Sequence, residues 1–209
     1  MILTPIPRER LGAALDRFEA QLHDPNAKAA FVRIRATFPD RAEGAAAHQH
    51  RRDALGLARR VGVPVHPPGT RPAFNWDGAA LDADTEAYVI LHEIAHFVLA
   101  PPERRGLIDF GLGPGPDTRD RGAAEHVAIL PVAKREADEA EASLLGILWE
   151  AALGQPALAS FLDQNWLESL ERSAAAHFTA VFGMLRRRGL VGPALLREAE
   201  GQPASREIR

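Results

Sequence analysis

Apolar positions along the chain recur mostly at helical spacing. In residues 8–22, Leu11, Leu15, Phe18 and Leu22 fall three or four apart, which predicts an amphipathic helix. Residues 45–60 read as an Ala- and Arg-rich helix. Between them, 29–38 is ambiguous. Val32, Ile34, Ala36 and Phe38 alternate with polar residues as in a half-buried strand, and a helix is the competing reading. From Gly62 to Gly78, prolines and glycines exclude a long helix and predict extended segments and turns. Helical pattern resumes near Asp84 and stops at Pro101-Pro102, after which residues 111–122 predict a Gly/Pro-rich loop. Pro131 is placed to open a helix running to about Leu153, with Gly154 as its stop signal. Residues 164–188 read as one more helix, carrying Leu167, Leu170, Phe178, Val181, Phe182 and Leu185. The expectation is a single compact, mainly α domain over residues 1–200, with a few short strands, and residues 201–209 as a flexible tail.

One of these helices breaks the pattern. The stretch YVILHEIAHFVLA, residues 88–100, is apolar in nearly every direction, yet holds His92, Glu93 and His96. A helix that is apolar all round is buried. Burying polar groups without partners costs on the order of a few kcal/mol each, and more for a carboxylate. A metal ion would compensate for all three. His92 and His96, four residues apart, lie one above the other on one helical face and reach one ion, while Glu93 projects beside it to act on water or substrate. This H-E-x-x-H arrangement suggests a zincin-like helical domain with one divalent metal.

Two histidines need a third ligand from elsewhere. The helix after Pro131 offers Glu136, Asp138, Glu139 and Glu141. Stepping back from its apolar face (Leu144, Leu145, Leu148) reaches Glu141 first and Asp138 second, whereas Glu139 projects with the small and polar residues Ala142, Ser143, Gly146 and Glu150. Glu141 is therefore the expected third ligand, and Glu136 and Glu139 read as a solvated first turn favoured by the helix dipole. Two histidines and a carboxylate with open positions are shared by zinc peptidases and non-haem iron oxygenases.

Composition narrows the alternatives. The 209 residues contain no cysteine, which excludes disulfides, thiolate metal sites and a cysteine nucleophile. A net charge of -3 with interspersed signs provides no footprint for direct nucleic-acid binding. There is no apolar run long enough to span a membrane and no signal-peptide pattern, so the expected location is the cytoplasm. Among the other histidines, His48 and His50 read as solvent-exposed, His126 as a weak candidate ligand, and His66 and His177 as structural.

Residues 92–120, HEIAHFVLAPPERRGLIDFGLGPGPDTRD, resemble the elongation factor P hydroxylase family. The matching features are the His-Glu-Ile-x-His core, Arg104-Arg105, Asp109-Phe110-Gly111 and Pro116-Asp117-x-Arg119-Asp120. The likeness resumes at Glu141 to Trp149 and covers a quarter to a third of the chain. It implies a metal-dependent, iron(II)-using hydroxylase of a lysine-derived side chain, with elongation factor P or another protein as substrate. His92, His96 and Glu141 would be ligands and Glu93 the acid beside them. Arg104, Arg105, Asp109, Asp138 and Arg119 would support the site or grip substrate. The family's aromatic stretch after Asp109-Phe110-Gly111 is replaced here by Leu-Gly-Pro-Gly, and residues 1–70 show little likeness, so the chemistry carries over better than the substrate. The competing readings are a zinc-dependent peptidase and a non-catalytic metal clamp.

Overall fold

A computed structural model describes residues 6–115, 118, 120–167 and 173–191. Within them the chain is helical: α1 (Arg8–Ala20), α2 (Pro25–Arg35), α3 (Gly44–Val61), α4 (Ala87–Leu99), α5 (Pro102–Arg105), α6 (Arg121–His126), α7 (Val132–Ala152), α8 (Ala157–Asp163) and α9 (Ala174–Arg187). The expected tail, residues 201–209, lies outside the described residues. No described helix is long and apolar enough to cross a membrane.

The ambiguous segment 29–38 is largely helix, not strand. Asp24 caps α2 by accepting from the Asn26 and Ala27 amides, and Pro25 opens it at a position where no amide is needed. The residues that bury are Ala27, Ala30, Phe31 and Ile34, at helical spacing, while Val32 and Phe38 of the apparent alternation are exposed. The described residues contain no strand beyond isolated bridges, Val65 to Leu81 and Trp76 to Leu81, inside the folded loop 62–86. The expected helix over 164–188 is also revised. Asn165 is left-handed (φ 59°), Ser173 caps α9 at the Ala176 amide, and α8 precedes them as a separate helix.

The bundle has two regions of core. In one, the rings of Phe18, Phe31, Phe161 and Phe178, from α1, α2, α8 and α9, lie 4.6–6.3 Å apart. In the other, α4 lies between α3 and α7. α4 buries Val89, Ile90, Leu91, Ile94 and Ala95 and ends where Pro101-Pro102 cannot continue it. α7 passes very close to it. A Cβ added to Gly146 would sit 3.4 Å from the His92 backbone, in direct contact, so only a small residue fits where the two helices meet. All of residues 141–150 are buried, whereas the first two turns of α7 are mostly exposed. The helix ends at Gly154 (φ 68°), where the Gln155 amide donates back to Glu150 O.

Candidate metal centre

Because α4 and α7 approach so closely, side chains from both meet at one point. His92 Nε2 and His96 Nε2 are 3.0 Å apart, and Glu139 Oε2 lies 3.3 Å from the first and 3.4 Å from the second. With metal–ligand bonds of about 2.1 Å, such separations correspond to angles of roughly 90° to 110° at a shared ion. Three nitrogen and oxygen donors at this spacing fit a divalent cation. The carboxylate that meets the two histidines is thus Glu139, and the expectation for Glu141 is corrected. Glu141 is buried, as its apolar neighbours implied, but it turns toward α9, where Arg188 Nε lies 3.1 Å from its Oε2. α7 buries more than one face, and the face toward the histidines is the small one, with Glu139, Ser143 and Gly146 at i, i+4 and i+7. Small residues admit the neighbouring helix, and a longer acid one turn earlier then reaches its ligands.

Glu93 is buried beside the ligand set, on the wall of a cavity of about 670 Å³ that also contains His92, His96 and Glu139. Burial pushes its carboxyl up to about 8; Asp109 and Glu139 reinforce this, while His92 and a hydrogen bond from Asn75 oppose it. His92 is held above the ordinary histidine range. Burial disfavours its charge, but the contact with Glu139 prevails. His96 is held below that range by burial, against the pull of Glu139. Glu139 is held well below the usual carboxylate range, since attraction from His96 and His92 overcomes the cost of burial.

The cavity's far wall comes from loop 62–86 and the turn at Asp109. Asp109 (φ 45°), Phe110 (φ 55°) and Gly111 (φ 70°) are all left-handed, a conformation that non-glycine residues adopt at a cost of about 1–2 kcal/mol each. Packing holds the turn. Phe110 is stacked between Trp76, 5.1 Å away, and the His96 ring, 5.5 Å away, and the Asp109 amide donates to Trp76 O. The turn directs Asp109 to the cavity, where burial raises its carboxyl to about 6, with Glu139 adding to the effect and the Thr118 hydroxyl opposing it. Asp82, Glu86 and Tyr88 line the remaining approach, and no lysine or arginine is among the described lining residues.

The other expected site residues are elsewhere. Arg104 and Asp138 pair with each other at 2.6 Å, both buried and neither lining the cavity. Arg105 donates to Ala100 O and lies over the Phe97 ring. Arg119 and Asp117 are outside the described residues. His126 is exposed and away from the ligand set, while His177 lines the cavity.

A further buried acid lies outside the ligand group. Glu150, also on the α4-facing side of α7, contacts Ser160 Oγ through both oxygens (2.6 and 2.7 Å) and lies 3.7 Å from Arg41. Burial raises its carboxyl to about 7, against the lowering effects of the Ser160 bond and Arg41. The fold therefore favours its neutral form. Its contribution is fully present below the unfolded value of about 4.5 and is lost as pH rises through about 7. Glu150→Gln, which keeps the shape without the charge, is expected to stabilise the protein at pH 8 by on the order of 2 kcal/mol and to change little at pH 4.5. Urea unfolding at the two pH values measures this, and an equal gap at both would exclude it.

Searches against protein-family models, curated proteins and solved structures returned no match for this chain.

Proposed function

We propose that the chain is a metal-dependent hydroxylase that acts on a cationic, lysine-derived side chain of a protein in the cytoplasm, with iron(II) as its metal in a zincin-like ligand arrangement. The convergence of His92, His96 and Glu139, with Glu93 beside them at a cavity wall, carries this reading. Two imidazoles and one carboxylate leave positions open for reactants. Iron(II) held there would supply the activation of dioxygen that turns a C–H bond into C–OH. One oxygen atom enters the product, and the other leaves as water with two electrons and two protons from a reductant.

The protein's own residues divide the remaining work. Glu93, oriented by Asn75, stands next to the reacting centre, where it can take up and return a proton. Asp82, Glu86 and Asp109, with no lysine or arginine among the described lining residues, favour a positively charged group in the cavity. Phe110 and Trp76 cover the back of His96 and keep water from it. The resemblance of residues 92–120 to the elongation factor P hydroxylase family selects oxygen insertion, and it makes elongation factor P the first substrate to try.

A zinc hydrolase is the second reading, and one observation favours it. Glu93 stands where a general base would take a proton from attacking water. The two separate in one experiment. Protein purified without oxygen is analysed for metal and co-expressed with elongation factor P, whose mass is then measured. Iron together with addition of one oxygen atom to the substrate supports the hydroxylase. Zinc together with peptide cleavage that Glu93→Gln abolishes would replace it with the hydrolase.

A further inference from the structure

Glu139 lies at the inner end of a stretch of α7 that has little hydrophobic packing, Ala140 being its one residue against the core. Val132 is exposed, and among residues 132–140 only Asp138 is buried. What fixes this stretch is ionic. Asp138 Oδ2 accepts from Arg104 Nη2 at 2.6 Å, and its Oδ1 lies 2.8 Å from Lys134 Nζ, one turn back on the same helix. Arg104 belongs to α5, the four-residue helix directly after α4.

α5 is in turn fastened to the elements around the histidines. Its neighbouring Arg105 donates from Nε to Ala100 O, at the end of α4. Arg105 O accepts from Trp76 Nε1, and Trp76 stacks on the Phe110 that covers His96. A continuous set of contacts thus runs from the ligands of α4, through α5, to the residue next to the ligand of α7.

We infer that Arg104 is a positioning residue for the metal centre: through Asp138 it sets Glu139 opposite His92 and His96. This rests on the ligand set argued above and assigns the arginine pair a role other than gripping substrate. Arg104 touches neither the cavity nor the ligand atoms, and acts through the helix that carries the third one. Groups that orient metal ligands typically change affinity about 10- to 100-fold when removed.

The test measures Zn²⁺ affinity of the full chain by competition with a chromophoric chelator, alongside the visible spectrum of the Co²⁺-loaded protein. Arg104→Met and the milder Asp138→Asn are expected to bind Zn²⁺ about 10- to 100-fold more weakly and to alter the Co²⁺ spectrum. Arg104→Lys, which keeps the charge, should recover most of the loss. Phe31→Leu, a destabilising change in the aromatic core, should leave both readouts at wild-type values. Wild-type affinity in Arg104→Met and Asp138→Asn would overturn the inference, as would an equal loss in Phe31→Leu. Should Arg104→Met fail to fold, Asp138→Asn decides. A wild-type protein that binds no Zn²⁺ would remove the metal-site reading itself, and this inference with it.

Discussion

Glu139→Gln is expected to weaken divalent-metal binding on the order of 100-fold, while Glu141→Gln leaves it within a factor of about two. The contrast follows from where the two acids point. Glu139 Oε2 is within 3.4 Å of both histidine nitrogens, whereas Glu141 faces Arg188 near the end of α9. The size of the effect comes from dividing a typical protein–zinc binding free energy of about 10–16 kcal/mol over four ligands. That leaves about 3 kcal/mol for each, or roughly a factor of 100. Glutamine keeps the length of glutamate and removes its charge, so the comparison reports on ligation and not on packing. Chelator competition on the two variants and the parent protein measures it. The reverse order of affinities would return the third ligand to Glu141.

The second large effect concerns turnover. Glu93→Gln is expected to retain metal within a few-fold and to reduce the rate by about 10²- to 10⁴-fold, the range over which a positioned acid or base contributes. Glu93 is not among the three converging ligands, yet it shares their cavity and is held by Asn75. The measurement pairs metal content with modification of the co-expressed substrate. Undiminished modification by a metal-loaded Glu93→Gln protein would remove Glu93 from the chemistry. Lost metal would make it part of the ligand field instead.

What the sequence made legible divides along physical lines. Helix α4 and its two histidines were readable because they depend on local spacing alone, four residues on one face. The span of α7 was readable because proline opens it and glycine closes it. The third ligand was not, because helical periodicity identifies a buried face but not the partner it is buried against. α7 meets different neighbours on its several sides, so Glu141 is buried toward α9 while the half-exposed Glu139 reaches the histidines of α4. The signal for the correct choice was the run of small residues after Glu139, since only such a face lets another backbone approach. Segment 29–38 was misleading for a related reason. Its alternation involved Val32 and Phe38, which the fold leaves in solvent, and the capping Asp24 with Pro25 was the better guide. The left-handed conformation of Phe110 had no sequence signal, because phenylalanine does not favour it, whereas aspartate close before a glycine marks a turn. Stacking between Trp76 and His96 imposes the conformation of Phe110 from outside.

The uneven burial of α7 has a consequence for the order in which parts of the protein open. From residue 141 onward the helix can unfold only with the core, but its first two turns are restrained by one buried ion pair and a few surface contacts. Hydrogen exchange should therefore divide this one helix into a fast amino-terminal part and a slow remainder. Glu139 stands two residues before the boundary. Closing a cation between it and the histidines of α4 would extend slow exchange outward into the first turns, so that part of the affinity of the site is spent on local folding.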